Sequence, residues 1–269
     1  MHLVSFDPLR TLDIPNIRNL KPEHWFRERE TILQADWVLF PEYWQINPLV
    51  YAWKKKIFPS ISTFHLGHDK VEMTRAFEAV CPRNIPQTQI LPATEVAEQQ
   101  ILDEFAFPFV AKEIKNSMGR GVHVIHDRHE LRRYRETNSV LYIQEYLPID
   151  RDLRVVLIGN KVVAAYWRIA AHGAFHNNVA MGATVSFDNI PASAIELVEQ
   201  VARQLDIDHA GFDVAFVDGW CYLFEFNVRF GTQALNQRGI KTGPLIQQSL
   251  FERNPFPWQP DTPLVPKAS

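Results

Sequence analysis

The chain has 269 residues, of which 46% are hydrophobic and 22% are charged, the composition of a soluble globular protein that can bury a sizeable core. A formal net charge of −3 argues against a nucleic-acid binder that relies on general electrostatic attraction. The two cysteines are far apart in sequence, and neither a signal peptide nor an apolar run long enough to cross a membrane is visible. We therefore expect a cytoplasmic protein with no nucleic-acid partner and no membrane partner.

The amino-terminal third predicts a small unit of alternating strands and helices. Residues 35–40 and residues 61–64 are predicted strands, and residues 47–56 between them are predicted to be a helix that ends in three lysines. The lysine run is typical of a solvated helix end. A further helix is predicted to begin at Lys70, because Asp69 suits an amino-terminal cap and apolar residues follow at helical spacing.

A strand that ends in a lysine, followed by a glycine-containing loop, lies in the middle of the chain. Residues 107–112 are the predicted strand, and the loop places Gly119 and Gly121 just before a return strand over residues 122–125. Backbone N–H groups of such a loop can surround phosphate oxygens, and glycines permit a close approach. Lys112 alone reads as an edge residue whose stem packs on apolar neighbours, but the loop beside it favours a functional role.

A second hairpin, predicted from RDLRVVLIGNKVVAAYWR at residues 151–168, carries two arginines on its two strands. The forked guanidinium group matches phosphate and carboxylate oxygens better than an ammonium group does, so Arg154 and Arg168 are candidate anion ligands. The alternative is a surface with ordinary salt bridges. The loop-like stretch that follows contains His176, which is a phosphate contact, a titrating group or a structural loop histidine.

The stretch GFDVAFVDGWCYLFEFNVRFG, residues 211–231, predicts a third hairpin that turns at an Asp-Gly pair. Asp213 lies on its first strand, and Glu225 and Asn227 share one face of the second strand. Three oxygen ligands on rigid strands suit Mg²⁺. The alternative is a hairpin whose acidic residues face solvent, but the apolar neighbours of Glu225 and Asn227 favour burial. Strict alternation predicts that one face of the second strand carries Tyr222, Phe224 and Phe226 and that the other carries Cys221, Leu223, Glu225 and Asn227.

In their order along the chain, these motifs resemble those of the ATP-grasp enzymes over roughly residues 65–240. In that superfamily a D…E-x-N hairpin holds magnesium ions beneath the phosphates of ATP, and a continuation E-x-N-x-R is found in several members, here ending at Arg229. The stretch at residues 151–168 is similar to that of the ribosomal-protein glutamate ligases, the nearest branch. The chain departs from this branch at His176 and at Met181, where basic residues are common.

The resemblance implies a role for each candidate residue. Arg154, Arg168 and Arg229 are expected to face phosphate and substrate carboxylate, and Asp213, Glu225 and Asn227 are expected to hold two Mg²⁺ ions, with Mn²⁺ as an alternative. The residues expected to contact ATP are Lys70, Lys112, Gly119, Gly121, Gln144, Glu145, Tyr146, Leu147, Asp152 and Asn178.

The fold implied by the resemblance is an α+β ATP-grasp fold with ATP bound between a lid and a core built on an antiparallel sheet. We expect an amino-terminal α/β domain at residues 1–92, a lid subdomain at 93–148, the core with its metal hairpin at 149–254 and a proline-rich tail at 255–269. The implied enzyme is an ATP- and Mg²⁺-dependent carboxylate–amine ligase that works through an acyl phosphate.

The substrates of such a ligase would be a small-molecule carboxylate and an amine, with a peptide or protein terminus as a further candidate. One alternative is a kinase of the same fold that phosphorylates a small-molecule hydroxyl. Another is a nucleotide-binding regulator without turnover. The complete D…E-x-N set argues against the regulator, whereas the short, aromatic-rich amino-terminal part keeps it open.

Overall fold

The structure is a computed structural model that describes residues 1–114, 121–169 and 184–253. The predicted site residues Gly119 and Asn178, the loop residues His176 and Met181, and the proline-rich tail lie outside this range. Within it the chain forms three β-sheets. None of the helices in these three segments has both the length and the apolar surface needed to cross a membrane.

The first sheet is parallel and belongs to the amino-terminal α/β unit. Its strands are β1 (Leu3–Ser5), β2 (Arg18–Asn19), β3 (Trp37–Leu39) and β4 (Lys56–Phe58). They lie in the order β2-β1-β3-β4. The accompanying helices are α1 (Arg29–Gln34), α2 (Tyr43–Asn47) with a π-helical continuation (Pro48–Ala52), α3 (Ile61–His68) and α4 (Lys70–Val80), with a 3₁₀ turn at Pro22–His24.

Two sequence predictions in this unit are wrong and two are confirmed, one of which is the strand predicted within residues 35–40, which is β3. Residues 61–64 form the first turn of α3 and not a strand, because the Ser60 side chain accepts the N–H of Thr63 and caps a helix. The helix predicted over residues 47–56 begins earlier and ends at Ala52, since Lys56–Phe58 is drawn into the parallel sheet. The helix predicted at Lys70 is present, and Asp69 caps it.

The second sheet is antiparallel and carries the predicted lid. Its strands are β5 (Thr88–Pro92), β6 (Phe109–Lys112), β7 (Val122–Ile125) and β8 (Val140–Glu145). They lie in the order β5-β8-β6-β7, so β5 pairs with β8 although the sequence analysis assigns its residues to the amino-terminal domain. Helices α5 (Glu95–Glu104) and α6 (Arg128–Thr137) pack on this sheet, and a 3₁₀ turn at Pro82–Asn84 precedes it.

The third sheet is antiparallel. Its strands are β9 (Arg151–Ile158), β10 (Lys161–Ile169), β11 (Thr184–Ser186), β12 (His209–Val217) and β13 (Trp220–Asn227). They lie in the order β11-β10-β9-β12-β13. The remaining helices are α7 (Ala192–Gln204), α8 (Gln233–Gln237) and α9 (Thr242–Glu252). One face of the sheet packs on α4 and α7 around Leu153, Val155, Phe212 and Val214.

The hairpin of β12 and β13 turns where predicted, but its alternation is interrupted. Asp213 is paired with Glu225, whereas the next residue, Val214, is paired with Leu223, so Phe224 is an extra residue in β13. Leu223 and Phe226 therefore both lie in the core, and the predicted division of β13 into two faces is wrong beyond the bulge. The bulge leaves Glu225 and Asn227 on the side of the sheet opposite the packed helices.

Candidate active site

Four charged side chains of alternating sign form a row on the face of the third sheet opposite α4 and α7. Arg168 on β10 donates from Nε and Nη2 to the two oxygens of Asp152 on β9, both at 2.6 Å. Arg154, two residues further along β9, donates to both oxygens of Asp213 on β12, at 2.6 and 3.2 Å. Arg168 also reaches Asp213, with Nη2 at 3.1 Å from Oδ1. Cross-strand register fixes this row, because Asp152 is paired with Arg168, and Arg154 with Asp213.

The row is buried, and burial shapes its electrostatics. Asp152, Arg154, Arg168 and Asp213 are all less than one-tenth exposed. Burial raises the pKa of Asp152 above its ordinary value, and the hydrogen bonds from Arg168 oppose this shift. Burial disfavours the charge of Arg168, but Asp213 and Asp152 outweigh it and raise the pKa of this guanidinium. The two aspartates thus keep two guanidinium groups in place inside the protein.

The predicted metal ligands lie at one end of this row. Glu225 faces Asp213 across the β12–β13 ladder, and the Asn227 amide donates to Asp213 Oδ2 at 3.5 Å. The Lys70 ammonium is 3.7 Å from Glu225 Oε2. Two carboxylates and an amide are the hard oxygen donors that Mg²⁺ takes, and a carboxylate that already accepts from arginine keeps further lone pairs. Within the described ranges no group of three or more His, Cys, Asp and Glu residues is arranged to hold a metal ion.

Lys112 brings the lid against the core. Its ammonium lies 5.6 Å from the ring centre of Tyr142 on β8 and 5.3 Å from that of Phe224, the bulge residue of β13. Burial lowers the pKa of Lys112 to about 8, while the charge of Glu225 raises it and that of Lys70 lowers it further. The Lys112 ammonium is thus buried close to two aromatic rings and to the Glu225 end of the row.

The predicted adenine-binding segment, residues 144–147, lies at the end of β8. The Gln144 side chain is buried and donates to Thr88 Oγ at 2.9 Å. The Glu145 carboxylate accepts the N–H of Gln87 at 2.7 Å, and its own N–H donates to the Gln87 carbonyl at 2.9 Å. Tyr146 is partly exposed and Leu147 is half-buried. The side chains of Gln144 and Glu145 thus hold the segment in place.

The predicted phosphate loop is described only at its ends. The Glu113 N–H donates to the Gly121 carbonyl at 2.7 Å and closes the base of the hairpin. Gly121 has a φ of 78°, a conformation that favours glycine. Gly119 lies outside the described residues, as does Asn178.

Arg229 lies apart from the buried row, on the side of the amino-terminal unit. Its Nη2 donates at 3.0 Å to Glu42, the residue before α2, and both side chains are exposed to solvent in large part. Arg10, from the loop after β1, donates at 3.0 Å to the carbonyl of Phe230, the residue next to Arg229. Burial lowers the pKa of Arg10; the charge of Asp7 raises it and that of Arg229 lowers it again.

The structure adds three residues that the sequence analysis missed. Glu42 and Arg10 follow strands of the parallel sheet, and the carboxyl ends of such strands are where ligand sites form, which is the signal that could have identified them. Gly211 is the third. A Cβ there would lie 2.8 Å from Arg154 Nη1, so glycine leaves the space through which the Arg154 side chain reaches Asp213.

Comparison with protein families and curated proteins places the site in context. Residues 70–248 match the RimK-like ATP-grasp domain. A probable alpha-L-glutamate ligase of Enterobacter sp. (strain 638) is 26% identical over 160 residues, which are 57% of this chain and 53% of that protein. The ribosomal protein bS6–L-glutamate ligase of Escherichia coli O139:H28 is 27% identical over 136 residues, 48% of this chain and 45% of that protein. The chain thus spans about half the length of the curated relatives that it matches.

Solved structures show the same fold at low sequence identity. A D-alanine–D-alanine ligase from Bacillus anthracis superposes with a TM-score of 0.70 at 18% identity, covering 95% of this chain and 99% of that chain. A RimK domain ATP-grasp protein from Sphaerobacter thermophilus DSM 20745 superposes with a TM-score of 0.62 at 16% identity, covering 81% and 82%. These likenesses confirm the predicted α+β ATP-grasp fold.

Proposed function

Because the chain belongs to the RimK-like ATP-grasp family, we propose that it is an ATP-dependent carboxylate–amine ligase that forms an amide bond through an acyl phosphate. The observation that carries this proposal is the buried row of Asp152, Arg168, Asp213 and Arg154, with Glu225 and Lys112 at one end. Two fixed guanidinium groups beside carboxylates fit a reaction in which charged phosphate and carboxylate oxygens must meet. Relatives named glutamate ligases support the same reaction class.

We place the nucleotide between the lid and the third sheet, in keeping with the predicted division at residues 93–148 and 149–254. Lys112 would approach the phosphates from above, and Lys70, at the start of α4, from the side of Glu225. The segment 144–147 would pair with the adenine edge through its backbone beyond Glu145, whose N–H is already bound to the Gln87 carbonyl, and Asp152 would lie near the ribose. Closure of the loop that contains Gly119 and Gly121 would exclude water from the reaction, with Asn178 as a further contact.

Asp213, Glu225 and Asn227 are the residues that would hold magnesium, as two ions or as Mn²⁺ in their place. The donor set fits such an ion, since all three side chains offer oxygen and two of them are carboxylates that face each other across one ladder. When bound, the metal would supply neutralisation of charge on the phosphate oxygens. Arg154 and Arg168 hold Asp213 in position from below.

The chemistry has two steps. An oxygen of the acid substrate forms a bond to the γ-phosphorus of ATP while the bond to ADP breaks, and the pair of electrons leaves with ADP. The amine nitrogen then attacks the acyl carbon, inorganic phosphate leaves with its electron pair, and the amine gives up a proton. Arg168 and Arg154 would compensate negative charge in the first step, and Arg229 would hold the carboxylate at the side of the amino-terminal unit. Protein or peptide carboxylates and small acids are both candidate substrates, in the cytoplasm.

The proposed ligase activity can be tested by incubating the purified protein with ATP, Mg²⁺, pooled acids and pooled amines. We expect release of inorganic phosphate that depends on both pools, trapping of the intermediate by hydroxylamine, and a product whose mass gives the new bond. Transfer of phosphate to a stable acceptor would instead show a kinase. Glu225→Gln should lower the rate of phosphate release by more than about a hundredfold, whereas Asp218→Asn, at the tip of the same hairpin, should leave this rate unchanged.

Arg229 allows a second test of the same proposal. If Arg229 holds the substrate carboxylate, Arg229→Met should raise the KM for the acid substrate more than the KM for ATP. Equal rises in both constants would contradict a role in holding the carboxylate. Full activity of Glu225→Gln at saturating Mg²⁺ would contradict the metal site.

A further inference from the structure

A buried hydrogen bond joins the second sheet, which carries the predicted lid, to the helix that begins with Lys70. The hydroxyl of Thr74 on α4 and the phenol oxygen of Tyr142 on β8 are 2.6 Å apart, and either can be the donor. Both side chains are buried, with exposed fractions of 5% and 2%. Burial raises the pKa of Tyr142 to about 12, so the phenol keeps its proton near neutral pH and the pair is a neutral hydrogen bond.

The Tyr142 side chain faces away from the apolar core of the lid. Leu141 and Ile143, its neighbours in β8, pack with α5 and α6 in that core. Because side chains alternate along a strand, Tyr142 lies on the other face of the second sheet, where it contacts α4. There its ring centre lies 5.6 Å from the Lys112 ammonium. Tyr142 thus contacts both the helix that carries Lys70 and the lysine of the lid.

Thr74 lies on the same face of α4 as Lys70, because residues four positions apart are neighbours on a helix surface. The Lys70 ammonium is 3.7 Å from Glu225 Oε2. Met73, the residue before Thr74, accepts the N–H of Phe226 on its sulfur at 3.3 Å, which attaches α4 to β13. The helix is therefore held by the third sheet on one side and by the lid on another.

Lys112 is held in place by groups on two sides. Its carbonyl oxygen accepts the phenol of Tyr134 on α6 at 2.6 Å, and its ammonium lies near the rings of Tyr142 and Phe224. Burial lowers the pKa of Lys112, Glu225 raises it, and the charge of Lys70 lowers it further. The last effect is repulsion between two ammonium groups that lie near one carboxylate. A rigid support is required to keep both of them there before an anion binds.

The hydrogen bond of Thr74 with Tyr142 supplies direction that an apolar contact would lack. Replacement of both partners of a buried hydrogen bond by apolar groups of the same shape is nearly neutral for stability. The two hydroxyls are therefore not required merely to fill the space between α4 and β8. They impose a distance and an angle on the two elements, because a hydrogen bond weakens steeply when either departs from its preferred value.

We infer that Thr74 and Tyr142 are positioning residues, which hold the lid at one angle to α4 so that Lys70 and Lys112 converge on the phosphates of the nucleotide. Neither hydroxyl contacts the nucleotide itself, since the two are bound to each other in the interior. The inference rests on the proposed function and adds the contact that brings the two lysines together. A misplacement of about 1 Å, caused far from the reacting atoms, can cost on the order of a hundredfold in rate.

The binding of ADP with Mg²⁺ and the binding of adenosine, both measured by calorimetry, test this role without requiring turnover. Adenosine has no phosphate, so its affinity should not depend on the two lysines. We expect Tyr142→Phe and Thr74→Val each to raise the Kd for ADP with Mg²⁺ by about tenfold, which is ~1.4 kcal/mol, and to leave the Kd for adenosine within about twofold of the wild type. Tyr51→Phe, which removes an exposed hydroxyl of the amino-terminal unit, is the control and should change neither Kd.

Two further variants separate positioning from stability. Each single variant leaves one buried hydroxyl without its partner, whereas the double variant Thr74→Val/Tyr142→Phe removes both. The urea midpoint of the double variant should therefore return close to that of the wild type, while its binding of ADP stays about tenfold weaker. Thr74→Ser keeps the hydroxyl and loses a buried methyl group. It should show the opposite pattern, with a lower midpoint and a Kd for ADP within about twofold of the wild type.

Two results would overturn the inference and leave the nucleotide site intact. Binding of ADP by the double variant as tight as that of the wild type would show that the hydrogen bond serves stability alone. An equal rise in the Kd for ADP and for adenosine would assign the contact to the pocket of the base. Wild-type protein that binds neither ligand would reject the proposed function and the inference with it. Wild-type protein that shows the expected binding but releases no phosphate with any acid and amine would reject the ligase and keep the positioning of the lysines.

Discussion

Arg154 and Asp213 are paired across β9 and β12, and the Arg154 guanidinium donates to both oxygens of the Asp213 carboxylate. Both side chains are almost fully buried. Because Arg168 is already paired with Asp152, removal of either Arg154 or Asp213 would leave one charge of the buried row unbalanced, which typically costs about 3–5 kcal/mol. Asp213 therefore contributes to the fold of the sheet as well as to the proposed metal site, and the two contributions can be separated.

A double-mutant cycle makes that separation. We expect Asp213→Asn and Arg154→Met each to lower the free energy of unfolding by about 3–5 kcal/mol, and the double variant to lose less than the sum because no unpaired charge remains. Phosphate release should be abolished in both single variants and in the double variant, since each lacks the proposed metal ligand Asp213, or Arg154, which holds it in position. Urea unfolding of the four proteins, with the activity assay alongside, measures both. Strictly additive losses in stability would contradict a direct pair.

Lys112 gives the protein a predictable response to pH. Burial lowers its pKa from 10.5 to about 8, with Glu225 raising it and Lys70 lowering it again. The ammonium form is the one that attracts phosphate, so above about pH 8 nucleotide binding must include uptake of a proton. We expect the affinity for ADP with Mg²⁺ to fall with rising pH, by up to about tenfold per pH unit. Calorimetry in buffers of different ionisation enthalpy would measure the proton uptake.

The control for this response is Lys112→Met, which should bind nucleotide more weakly near neutral pH and show no proton uptake at higher pH.

The lowered pKa of Lys112 also affects the free energy of unfolding, which should change with pH in the opposite direction to the binding affinity. Between about 8 and 10.5 the unfolded chain binds more protons at this position than the folded one, so the free energy of unfolding should rise with pH in that window. A binding constant that is flat across the window in the wild type would contradict the assignment of Lys112 to the phosphates.

The parts of the fold that sequence predicts well are those decided by near neighbours. The hairpin of β12 and β13 is one example, because its Asp-Gly turn has φ values of 51° and 82° that few other residue pairs would adopt. The cap of α4 at Asp69 is another, since its side chain accepts two N–H groups of the first turn. The order of Lys112, the glycine loop, the segment 144–147, the arginine hairpin at 151–168 and the hairpin at 211–231 is sufficient to predict the family.

The failures have tertiary causes. Residues 61–64 have the composition of a strand, but Ser60 and Thr63 also contact Asp208, far along the chain, and this contact stabilises the helix start. The bulge at Phe224 likewise depends on pairing with β12 and has no mark in the sequence of β13 alone. The ion pair of Arg229 with Glu42 joins two separate units of the fold. No local pattern connects two such positions.

Gly211 lies directly beneath the Arg154 side chain. An added Cβ would be 2.8 Å from Arg154 Nη1 and 2.8 Å from Phe230 Cβ, both too close for an unstrained contact. We expect Gly211→Ala to displace the guanidinium from Asp213, to lower the free energy of unfolding by about 1–3 kcal/mol and to reduce phosphate release by more than about tenfold. Thermal unfolding and the activity assay measure the two effects.

The matched control is Gly231→Ala, in the segment that follows β13. No heavy atom lies within 4 Å of the position that a Cβ would take there, so the substitution should change both stability and rate little. If Gly211→Ala also left both unchanged, the space beneath Arg154 would not be needed for its contact with Asp213.

Asp208 joins the amino-terminal unit to the third sheet and to the carboxyl end of α9. It is fully buried; Oδ1 accepts from the Ser60 N–H at 2.8 Å and from the Thr63 hydroxyl at 3.1 Å, and Oδ2 accepts from Arg253 Nη1 at 2.5 Å. Substitution by alanine would leave buried donors without an acceptor. Each unsatisfied group costs about 1–3 kcal/mol, so we expect Asp208→Ala to lower the free energy of unfolding by at least about 3 kcal/mol.

Asp208→Asn should lose less than the alanine variant, because its amide oxygen can still accept from Ser60 or Thr63 while the charge opposite Arg253 is gone. Asp188→Ala, at an exposed position near β11, is the control and should stay within about 0.5 kcal/mol of the wild type. Urea unfolding followed by tryptophan fluorescence would report mainly the amino-terminal unit, which carries four of the seven tryptophans of the chain, the stacked Trp25 and Trp53 among them. Loss of the Asp208 contacts should lower the transition midpoint of that signal. A midpoint equal to that of Asp188→Ala would show that the two units are held together by their apolar contacts alone.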